Sequence, residues 1–427
     1  MPVKLSERLK DRLRLVSSTQ QQAPPEERLR IPLELILHIV DLASSSCYDD
    51  TDRDRLHASL ACVNRPFSRL YSRRKWRTVG LPNGTQVEEL LERLKVDKAG
   101  SDWIEGVEVE FLVHQYSRRQ LVKNWAKLSK QCRNLQFVQL GDPDVEPNMH
   151  ESFSGRALHD MAGISTLRLI SLCVHHDLPA SRFLRRSLPQ TPCIPLNLRH
   201  LTLDGVQLSG LDYASPERLA TLWPPADQLR LTSLYIANLQ KPGYQPARSD
   251  LVPAIRDLVA RTSPTLKALH YSRKRSVLDP DPSLFLDLRL PLLRILSISL
   301  YHFDEHALHA APSVEHLVLT LEDYSPDDFA ATERKAKEAS ALLGAALSPT
   351  TQGGVQLPKL RRLHLPVFVG ATEPERRSLW AELRTAAEEQ GVRVEVYEVK
   401  VFDDEDKDEE VETRFRLLVR DELYEKM

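Results

Sequence analysis

A short hydrophobic motif that recurs along most of this chain constrains its fold more than any other feature. Each copy has an apolar residue, two variable residues, a second apolar residue, one variable residue and a third apolar residue, as in LRHLTL (198–203) and LRILSI (293–298). Alternation of apolar and variable positions is typical of a β-strand that buries one face. The sequence therefore predicts a strand at each of nine motifs, which begin at residues 104, 135, 164, 198, 231, 266, 293, 314 and 360.

The segments between the motifs have helical periodicity. In the segment 243–264, Leu251, Ile255 and Leu258 are spaced to lie on one face of a helix. A helix that connects two parallel strands is the unit of a βα solenoid, in which each repeat buries its apolar face against its neighbours. We therefore predict an α/β fold (α+β overall), with a leucine-rich-repeat-like βα solenoid at 100–390 and a parallel sheet on its concave face.

The intervals between the motifs are irregular. The motifs at 293 and 314 start 21 residues apart, whereas those at 314 and 360 start 46 residues apart. A regular leucine-rich array keeps to roughly 20–29 residues per repeat, so several connections must contain longer helices or loops. The segment 325–347 is predicted to form a long helix within the longest interval.

The C-terminal region is predicted to close the array with a cap at 391–427. The segments 392–402 and 411–419 both have the composition of strands, and a run of acidic residues separates them. In the second segment, Phe415 and Leu417 alternate with arginines. This alternation predicts the two strands of a β-hairpin, which would blunt the exposed edge of a solenoid.

Composition argues against several classes of function. The chain of 427 residues is 41% hydrophobic and 28% charged, and its formal net charge is −2. A nearly neutral protein has no overall electrostatic field that attracts nucleic acid. The sequence also contains no apolar run of about 18 residues, so it predicts no membrane-spanning helix. The five cysteines are scattered without a CxxC pair, which is typical of reduced thiols. We therefore expect a cytoplasmic and/or nuclear protein without nucleic-acid or membrane partners.

The first 77 residues have helical spacing and no repeat motif. Residues 1–29 are predicted to form a disordered or frayed amphipathic N-terminus, which resembles a mitochondrial presequence only in part because Glu7 and Asp11 are atypical of one. Residues 30–46, RIPLELILHIVDLASSS, are predicted to form a helix with apolar residues on two flanks. A surface helix normally has one apolar stripe, so either the rest of the chain or a partner must cover the second flank.

Several residues of the segment 30–77 occur in the same order along the chain as the residues of an F-box, which this segment resembles. The pattern of that family is Leu-Pro-x-Glu, an apolar helix, a second helix with a Leu-x-x-Val-x-x-x-Phe/Trp core, and a closing Trp. Two departures are an isoleucine at the first position and a polar loop at 44–55 that is longer than the usual connection. The residues that match the pattern are Ile31, Pro32, Leu33 and Glu34 at the opening, Leu60, Val63 and Phe67 in the middle, and Trp76 at the end.

Together with the irregular repeats that follow, these residues make the chain similar to fungal F-box proteins of the leucine-rich type. The resemblance implies a short helical F-box that binds the Skp adaptor of a cullin ubiquitin ligase, which would cover the second apolar flank. It also implies a non-catalytic subunit that recruits a protein substrate. The adaptor-binding residues implied by the resemblance are Ile31, Pro32, Leu35, Ile36, Ile39, Val40, Leu60, Val63, Phe67 and Trp76.

The variable residues beside the inward-facing leucines are the candidates for substrate binding. On a solenoid these side chains form a ladder on the concave face of the sheet, and such faces usually bind a partner. Histidines and a tyrosine in the ladder suit polar recognition of a protein. The predicted substrate-binding residues are His200, Thr202, Asp204, Ser233, Tyr235, His270, Ser297, Ser299, His316, Arg362 and His364.

The remaining motifs predict no catalytic residue, metal or cofactor. His302 and His306 have the i, i+4 spacing of some zinc ligands, but a histidine-rich surface helix is favoured because no clear fourth ligand accompanies them. The acidic segment 403–410 lacks the ligand order of a calcium loop. Nucleotide-binding, nucleophile-elbow and zinc-protease motifs are absent from the sequence. Two alternatives stay open: a leucine-rich-repeat interaction scaffold with no role in ubiquitination, and an enzyme whose site has no recognised motif.

Overall fold

A computed structural model of the chain divides into two compact units, Met1–Arg74 and Lys75–Met427. Nearly all of the described residues belong to the second unit, which contains the repeats. Within the first unit only Leu56 and Ser59 are described, and both are helical. The structure describes residues 56, 59, 76–83, 86–96, 98–111, 124, 127–141, 152–154, 163–170, 173–175, 197–209, 223–237, 251–272, 283–321, 329–348, 356–368, 380–399 and 404–423.

An eleven-stranded parallel sheet forms the framework of the repeat region. Each strand lies beside the sheet strands that precede and follow it in the chain. This solenoid-like arrangement confirms the α/β class and the parallel sheet predicted from the motifs. The strands are β1 (Thr78–Asn83), β2 (Gly106–Phe111), β3 (Phe137–Leu140), β5 (Thr166–Ile170), β7 (His200–Asp204), β9 (Ser233–Ala237), β10 (Ala268–Tyr271), β11 (Ile295–Ser299), β12 (His316–Thr320), β13 (Arg362–Phe368) and β14 (Arg393–Val399).

A second parallel sheet, which the motifs do not predict, contains three short strands. They are β4 (Ser152–Ser154), β6 (Cys173–His175) and β8 (Gln207–Ser209), paired in that order. Each follows one strand of the main sheet, so three consecutive repeats contribute two strands each. Gly205 lies between β7 and β8 with a φ of 59°, a left-handed conformation that glycine adopts without strain.

Every strand predicted from a motif begins two residues after the motif begins. In one repeat the motif starts at Leu198 and β7 starts at His200. The first apolar residue of the motif is buried just before the strand, and the second and third are buried on one face of it. Leu198, Leu201 and Leu203, for example, are 0%, 2% and 1% exposed. The apolar positions of the motif therefore form the core of the array.

Helices cover the sheet face that carries these buried apolar residues, so that Leu258 of a helix shares one hydrophobic core with Leu234 of β9. The helices predicted within 243–264 and 325–347 are confirmed. None of the described helices combines the length and apolar character needed to cross a membrane. The helices are α1 (Gln86–Val96), α2 (Lys98–Ser101), α3 (Leu251–Thr262), α4 (Glu305–Ala310), α5 (Phe329–Leu347), α6 (Ala381–Glu389) and α7 (Asp404–Leu423).

The second residue of most motifs links neighbouring repeats through its backbone carbonyl. The Glu315 carbonyl, for example, accepts hydrogen bonds from Arg361 N at 2.8 Å and Arg362 N at 3.1 Å. Side chains reinforce this link, because Arg294 Nε and Nη2 donate to the Glu315 carboxylate at 2.9 and 3.0 Å. The hydrogen bond from Arg294 holds the pKa of the Glu315 carboxyl below its ordinary value. These bonds align the starts of successive strands.

A glycine joins α6 to the last strand of the sheet. Gly391 has a φ of 73°, a conformation that other residues adopt only with strain. Its N–H donates to Glu388 O at 3.0 Å, and the Val392 N–H donates to Ala387 O at 2.9 Å. These two bonds form a Schellman motif, which ends the helix and directs the chain into β14.

The hairpin predicted at 391–427 is wrong. Its first strand is β14, but β14 pairs in parallel with β13, and the second segment lies inside the helix α7. Phe415, Val419 and Leu423 are buried at intervals of four residues, which is helical spacing. Leu417, which strand alternation would place on the same face as Phe415, is 44% exposed. The acidic residues at the start of α7 favour a helix because negative charge stabilises a helix N-terminus.

Cys132 is a free thiol buried in the core. Burial, together with the nearby Asp102 carboxylate, raises its pKa to about 12. The thiol is therefore protonated at neutral pH and is a poor nucleophile. This environment agrees with the expectation of a reduced cysteine at this position, while the state of the other four cysteines stays a prediction.

Candidate binding surface

The face of the main sheet opposite to α3, α5 and α6 carries the variable residues of the motifs, and we call it the polar face. Its side chains come from the third, fifth and seventh residues counted from the start of each motif, such as His200, Thr202 and Asp204 in β7. All eleven residues predicted to bind a substrate lie on this face. In its central row, the register partners from β7 to β14 are Thr202, Tyr235, His270, Ser297, Val318, His364 and Glu395.

Most of the predicted substrate-binding residues are buried. His270 is 0% exposed and Tyr235 is 2% exposed. Of the eleven, His200, Asp204 and Arg362 keep intermediate exposure. An open concave surface would leave these side chains accessible, so part of the polar face is covered. The buried members of the set are Thr202, Ser233, Tyr235, His270, Ser297, Ser299, His316 and His364.

Helix α7 covers the middle of the polar face. Phe415, Val419 and Leu423 form a hydrophobic cluster with residues of β9, β10 and β11. Their spacing places all three on one face of the helix. The sequence motifs predict a strand at 411–419 and therefore no helical cover. The four-residue spacing from Phe415 to Leu423 is compatible with a helix, but it does not indicate which surface that helix covers. The sheet residues of the cluster are Tyr235, Ala237, Ala268 and Ile295.

Phe415 makes the aromatic contacts between α7 and the sheet. Its ring packs against a stacked pair, Tyr235 and His270, whose ring centroids are 4.2 Å apart with 14° between their planes. The Phe415 centroid lies 5.7 Å from that of Tyr235 and 5.8 Å from that of His270. Tilted and edge-on contacts at these distances are favourable between aromatic rings. His270 Nδ1 also lies 2.8 Å from Ser297 Oγ, within hydrogen-bond distance.

Arg414, next to Phe415, contacts the last strand of the sheet. Its guanidinium carbon lies 4.0 Å from the centre of the Tyr397 ring, which is a cation–π contact. The Tyr397 hydroxyl donates a hydrogen bond to Leu319 O at 2.5 Å. Hydrogen bonds between parallel strands such as β12 and β13 recur every two residues, so the Leu319 carbonyl would be expected to accept from the N–H of residue 366. Residue 366 is a proline, which has no N–H. Tyr397 therefore replaces a bond that the sheet lacks.

Two histidines of the polar face are neutral at physiological pH. Burial, together with positive charges that include Arg414, lowers the pKa of His364 to about 4, although the Glu395 carboxylate opposes this shift. The Glu395 carboxylate lies 3.4 Å from His364 Nδ1. Burial and the neighbouring Arg199 likewise lower the pKa of His200 to about 4. Both side chains therefore act as neutral hydrogen-bonding groups rather than as cations.

Three buried hydroxyl groups lie where adjacent strands β10, β11 and β12 end. They belong to Ser272, Ser299 and Thr320, and none has a hydrogen-bond partner within the described part of the chain. Nε2 of His364 is likewise buried and has no hydrogen-bond partner among the described residues. Burying a polar group without a partner costs about 1–3 kcal/mol. This part of the polar face therefore has unused hydrogen-bonding capacity.

The part of the polar face nearer the start of the array is more exposed. Glu108, Gln139 and Arg168 are register neighbours on β2, β3 and β5, and each is partly exposed. Arg168 donates a hydrogen bond to the Gln139 side chain. These residues were not predicted as site residues, although each occupies the same motif position as Thr202 in its own repeat.

Of the residues predicted to bind the adaptor, Trp76 is the one that the structure describes. It belongs to the second unit, is half-buried, and packs against the core of the repeat array just before β1. Its side chain therefore stabilises the array, and its predicted role in closing the F-box and binding the adaptor stays a prediction. The other predicted adaptor-binding residues lie outside the described residues: Ile31, Pro32, Leu35, Ile36, Ile39, Val40, Leu60, Val63 and Phe67.

Two of the histidines at 302–309, His302 and His309, make local contacts around α4. Asp304 caps that helix, with its Oδ1 accepting from Ala307 N at 2.9 Å. His309 lies 3.2 Å from the Glu305 carboxylate, and the His302 ring centroid lies 5.2 Å from that of Tyr271. Across the ranges that the structure describes, no group of three or more His, Cys, Asp or Glu side chains could hold a metal ion.

The polar face and its cover α7 form the candidate binding surface of this protein. The exposed part offers charged and amide side chains, and the covered part offers an aromatic pair flanked by hydroxyls and neutral histidines. Comparison of the sequence with models of known protein families and with curated proteins finds no match.

Proposed function

We propose that this protein is the substrate-recognition subunit of a Skp–cullin–F-box ubiquitin ligase. In this proposal the F-box-like segment 30–77 binds the Skp adaptor, and the repeat array binds a protein substrate on its polar face. The observation that carries the proposal is one chain in which a segment that resembles an F-box in sequence precedes a parallel array with a polar face. Repeat arrays commonly bind partners on such extended surfaces.

The protein performs no chemistry of its own in this role. Holding the adaptor and the substrate at the same time raises the effective concentration of substrate lysines near the ubiquitin carrier. The polar face supports such a role because its neutral histidines and hydroxyls can form specific hydrogen bonds. Its specificity would come from the geometry of those bonds rather than from long-range attraction of a charged partner.

Substitutions on the two flanks of the first predicted helix test the adaptor interaction. Leu35 and Ile39 lie one turn apart on one flank, and Ile36 and Val40 lie on the other. If the first flank contacts the adaptor, Leu35→Ala/Ile39→Ala should weaken adaptor binding about a hundredfold, since two buried anchors contribute about 3 kcal/mol together. Ile36→Ala/Val40→Ala should lower the melting temperature first, because that flank would hold the F-box helices together.

Adaptor affinity is measured by titrating purified Skp adaptor against each full-length variant. The melting temperature of each variant shows whether a loss of binding reflects unfolding. If neither double substitution weakens adaptor binding, the F-box assignment fails. A leucine-rich-repeat interaction scaffold that acts without ubiquitination would then be the better proposal.

A further inference from the structure

We propose that the covered part of the polar face binds an amphipathic helix of a partner protein, and that α7 is an internal occupant that this helix displaces. This inference rests on the proposed function, because it takes the polar face as the substrate-binding surface. It adds the chemistry of the ligand and a mechanism that limits access to the site.

The contacts of α7 specify what the partner helix must present. An aromatic side chain must pack against the Tyr235–His270 pair, as Phe415 does. Aliphatic side chains four and eight residues later must reach the small apolar area that Val419 and Leu423 occupy. A basic residue directly before the aromatic one would contact the face of the Tyr397 ring, which attracts cations.

The core of the array does not depend on α7. The buried residues of α7 form a separate, smaller cluster with the sheet, and within the described ranges none of them joins the main core between the sheet and the other helices. The opposite face of α7 is exposed, including Leu417 at 44%. An element that buries three large side chains outside the main core can detach without opening that core.

Two buried hydroxyl groups on the polar face lie outside the hydrophobic cluster that α7 forms with the sheet. Ser299 lies at the end of β11, a strand that contributes to the α7 cluster, and its hydroxyl is buried with no hydrogen-bond partner among the described residues. The Thr320 hydroxyl on the neighbouring strand is in the same state. A partner helix that extends beyond the area covered by Phe415, Val419 and Leu423 could bond both hydroxyls with polar side chains, which would favour it over α7.

Tethering gives α7 an advantage that an external helix must overcome. A segment joined to its binding site has an effective concentration of the order of millimolar. A helix of equal intrinsic affinity therefore binds the intact protein much more weakly than it binds a protein whose α7 has been displaced. If α7 is a removable occupant, the two affinities differ; if α7 is a permanent part of the fold, they do not.

The test uses the full-length chain and a fluorescent synthetic peptide of residues 404–423 as the probe. In the variant Phe415→Asp/Val419→Asp, burial of two carboxylates is unfavourable, so α7 should leave the polar face. Fluorescence anisotropy should show that this variant binds the peptide at least tenfold more tightly than the wild-type protein does. A peptide carrying Phe415→Ala should bind at least tenfold more weakly than the unmodified peptide.

A variant on the exposed side of the same helix is the matched control. Arg416→Ala/Leu417→Ala changes residues that lie away from the sheet, so it should bind the peptide as weakly as the wild type. The proposal is overturned if the aspartate variant is folded but binds no peptide, or if it binds no better than the wild type. It is also overturned if the aspartate variant unfolds, because α7 would then be part of the structural core.

These outcomes are independent of the proposed role in ubiquitin ligation. The peptide assay contains no adaptor, and adaptor affinity measured with the same aspartate variant should equal that of the wild type. If Leu35→Ala/Ile39→Ala weakens adaptor binding and leaves peptide binding unchanged, the adaptor-binding surface and the helix-binding surface are independent. A protein that fails to bind the adaptor but binds the peptide would keep the helix-binding site and lose the ligase assignment.

Discussion

Leu296 is a single side chain on which the middle of the array depends. It occupies the second apolar position of its motif on β11 and is 1% exposed. Leu296→Asp would bury an unpaired carboxylate, so we expect the free energy of unfolding to fall by about 3–5 kcal/mol. Chemical denaturation followed by circular dichroism measures this loss.

Leu292 provides a matched control for that substitution. It lies four residues earlier and is 47% exposed. Leu292→Asp should change the free energy of unfolding by less than about 0.5 kcal/mol, as is usual for surface substitutions. A Leu296→Asp protein that melts like the wild type would contradict the inward orientation of the motif leucines.

At the scale of the element, the joint between α6 and β14 depends on the backbone of Gly391. A Cβ atom at this position would meet no atom within 4 Å, so a substitution there changes only the backbone energy. Because its φ is 73°, Gly391→Ala should lower the free energy of unfolding by about 1 kcal/mol. Thermal unfolding measures the change, and Gln390→Ala is the control because Gln390 has an ordinary φ of −90°. Equal stability of the Gly391→Ala and Gln390→Ala proteins would show that the left-handed turn is not strained.

Nine strands of the main sheet are predictable from the sequence because each one begins inside a motif whose apolar positions face one core, and β14 is predictable from its strand-like composition. Strand β1 and the three-residue strands of the second sheet lack the motif, so no local pattern reveals them. Helix α7 was mistaken for a strand because Phe415 and Val419, four residues apart, satisfy both a period of two and a helical period. The exposed Leu417 distinguishes the two periods, but only once burial is known.

The face of the sheet on which the candidate residues lie was predictable from the sequence, but their accessibility was not. Alternation along each strand places the eleven predicted residues on one face, and the parallel register brings them into rows. Burial of residues such as His270 and Tyr235 depends on a helix more than 140 residues later in the sequence. Local periodicity carries no information about such a distant contact, so the cover appears only in the folded chain.

At the scale of the whole molecule, the boundary between Arg74 and Lys75 predicts that the repeat array folds without the first unit. A fragment of residues 75–427 should melt like the array in the full-length protein and should lose adaptor binding. Partners that it still captures would bind the repeats. Differential scanning calorimetry and a pull-down on the two proteins measure these outcomes.

A shorter fragment, 78–427, is the control for the position of that boundary. It lacks Trp76, which packs on the core, and Arg77, whose carbonyl accepts from Glu105 N at 2.8 Å. We therefore expect it to melt at a lower temperature than the fragment 75–427. If the two fragments melt alike, these contacts do not stabilise the first strand, and if 75–427 is unfolded, the boundary is wrong.

The contact between Phe415 and Tyr235 also forms late during synthesis of the chain, because Phe415 is made long after Tyr235. Chains emerge from the ribosome with the N-terminal residues first, and domains begin to fold as they emerge. Strand β9 is therefore made well before α7, and the Tyr235–His270 pair stays uncovered throughout that interval. Nascent or prematurely terminated chains would display this aromatic patch to chaperones, whereas chains that have completed α7 would hide it. Docking of α7 thus distinguishes chains synthesised as far as Leu423 from shorter ones before any substrate is encountered.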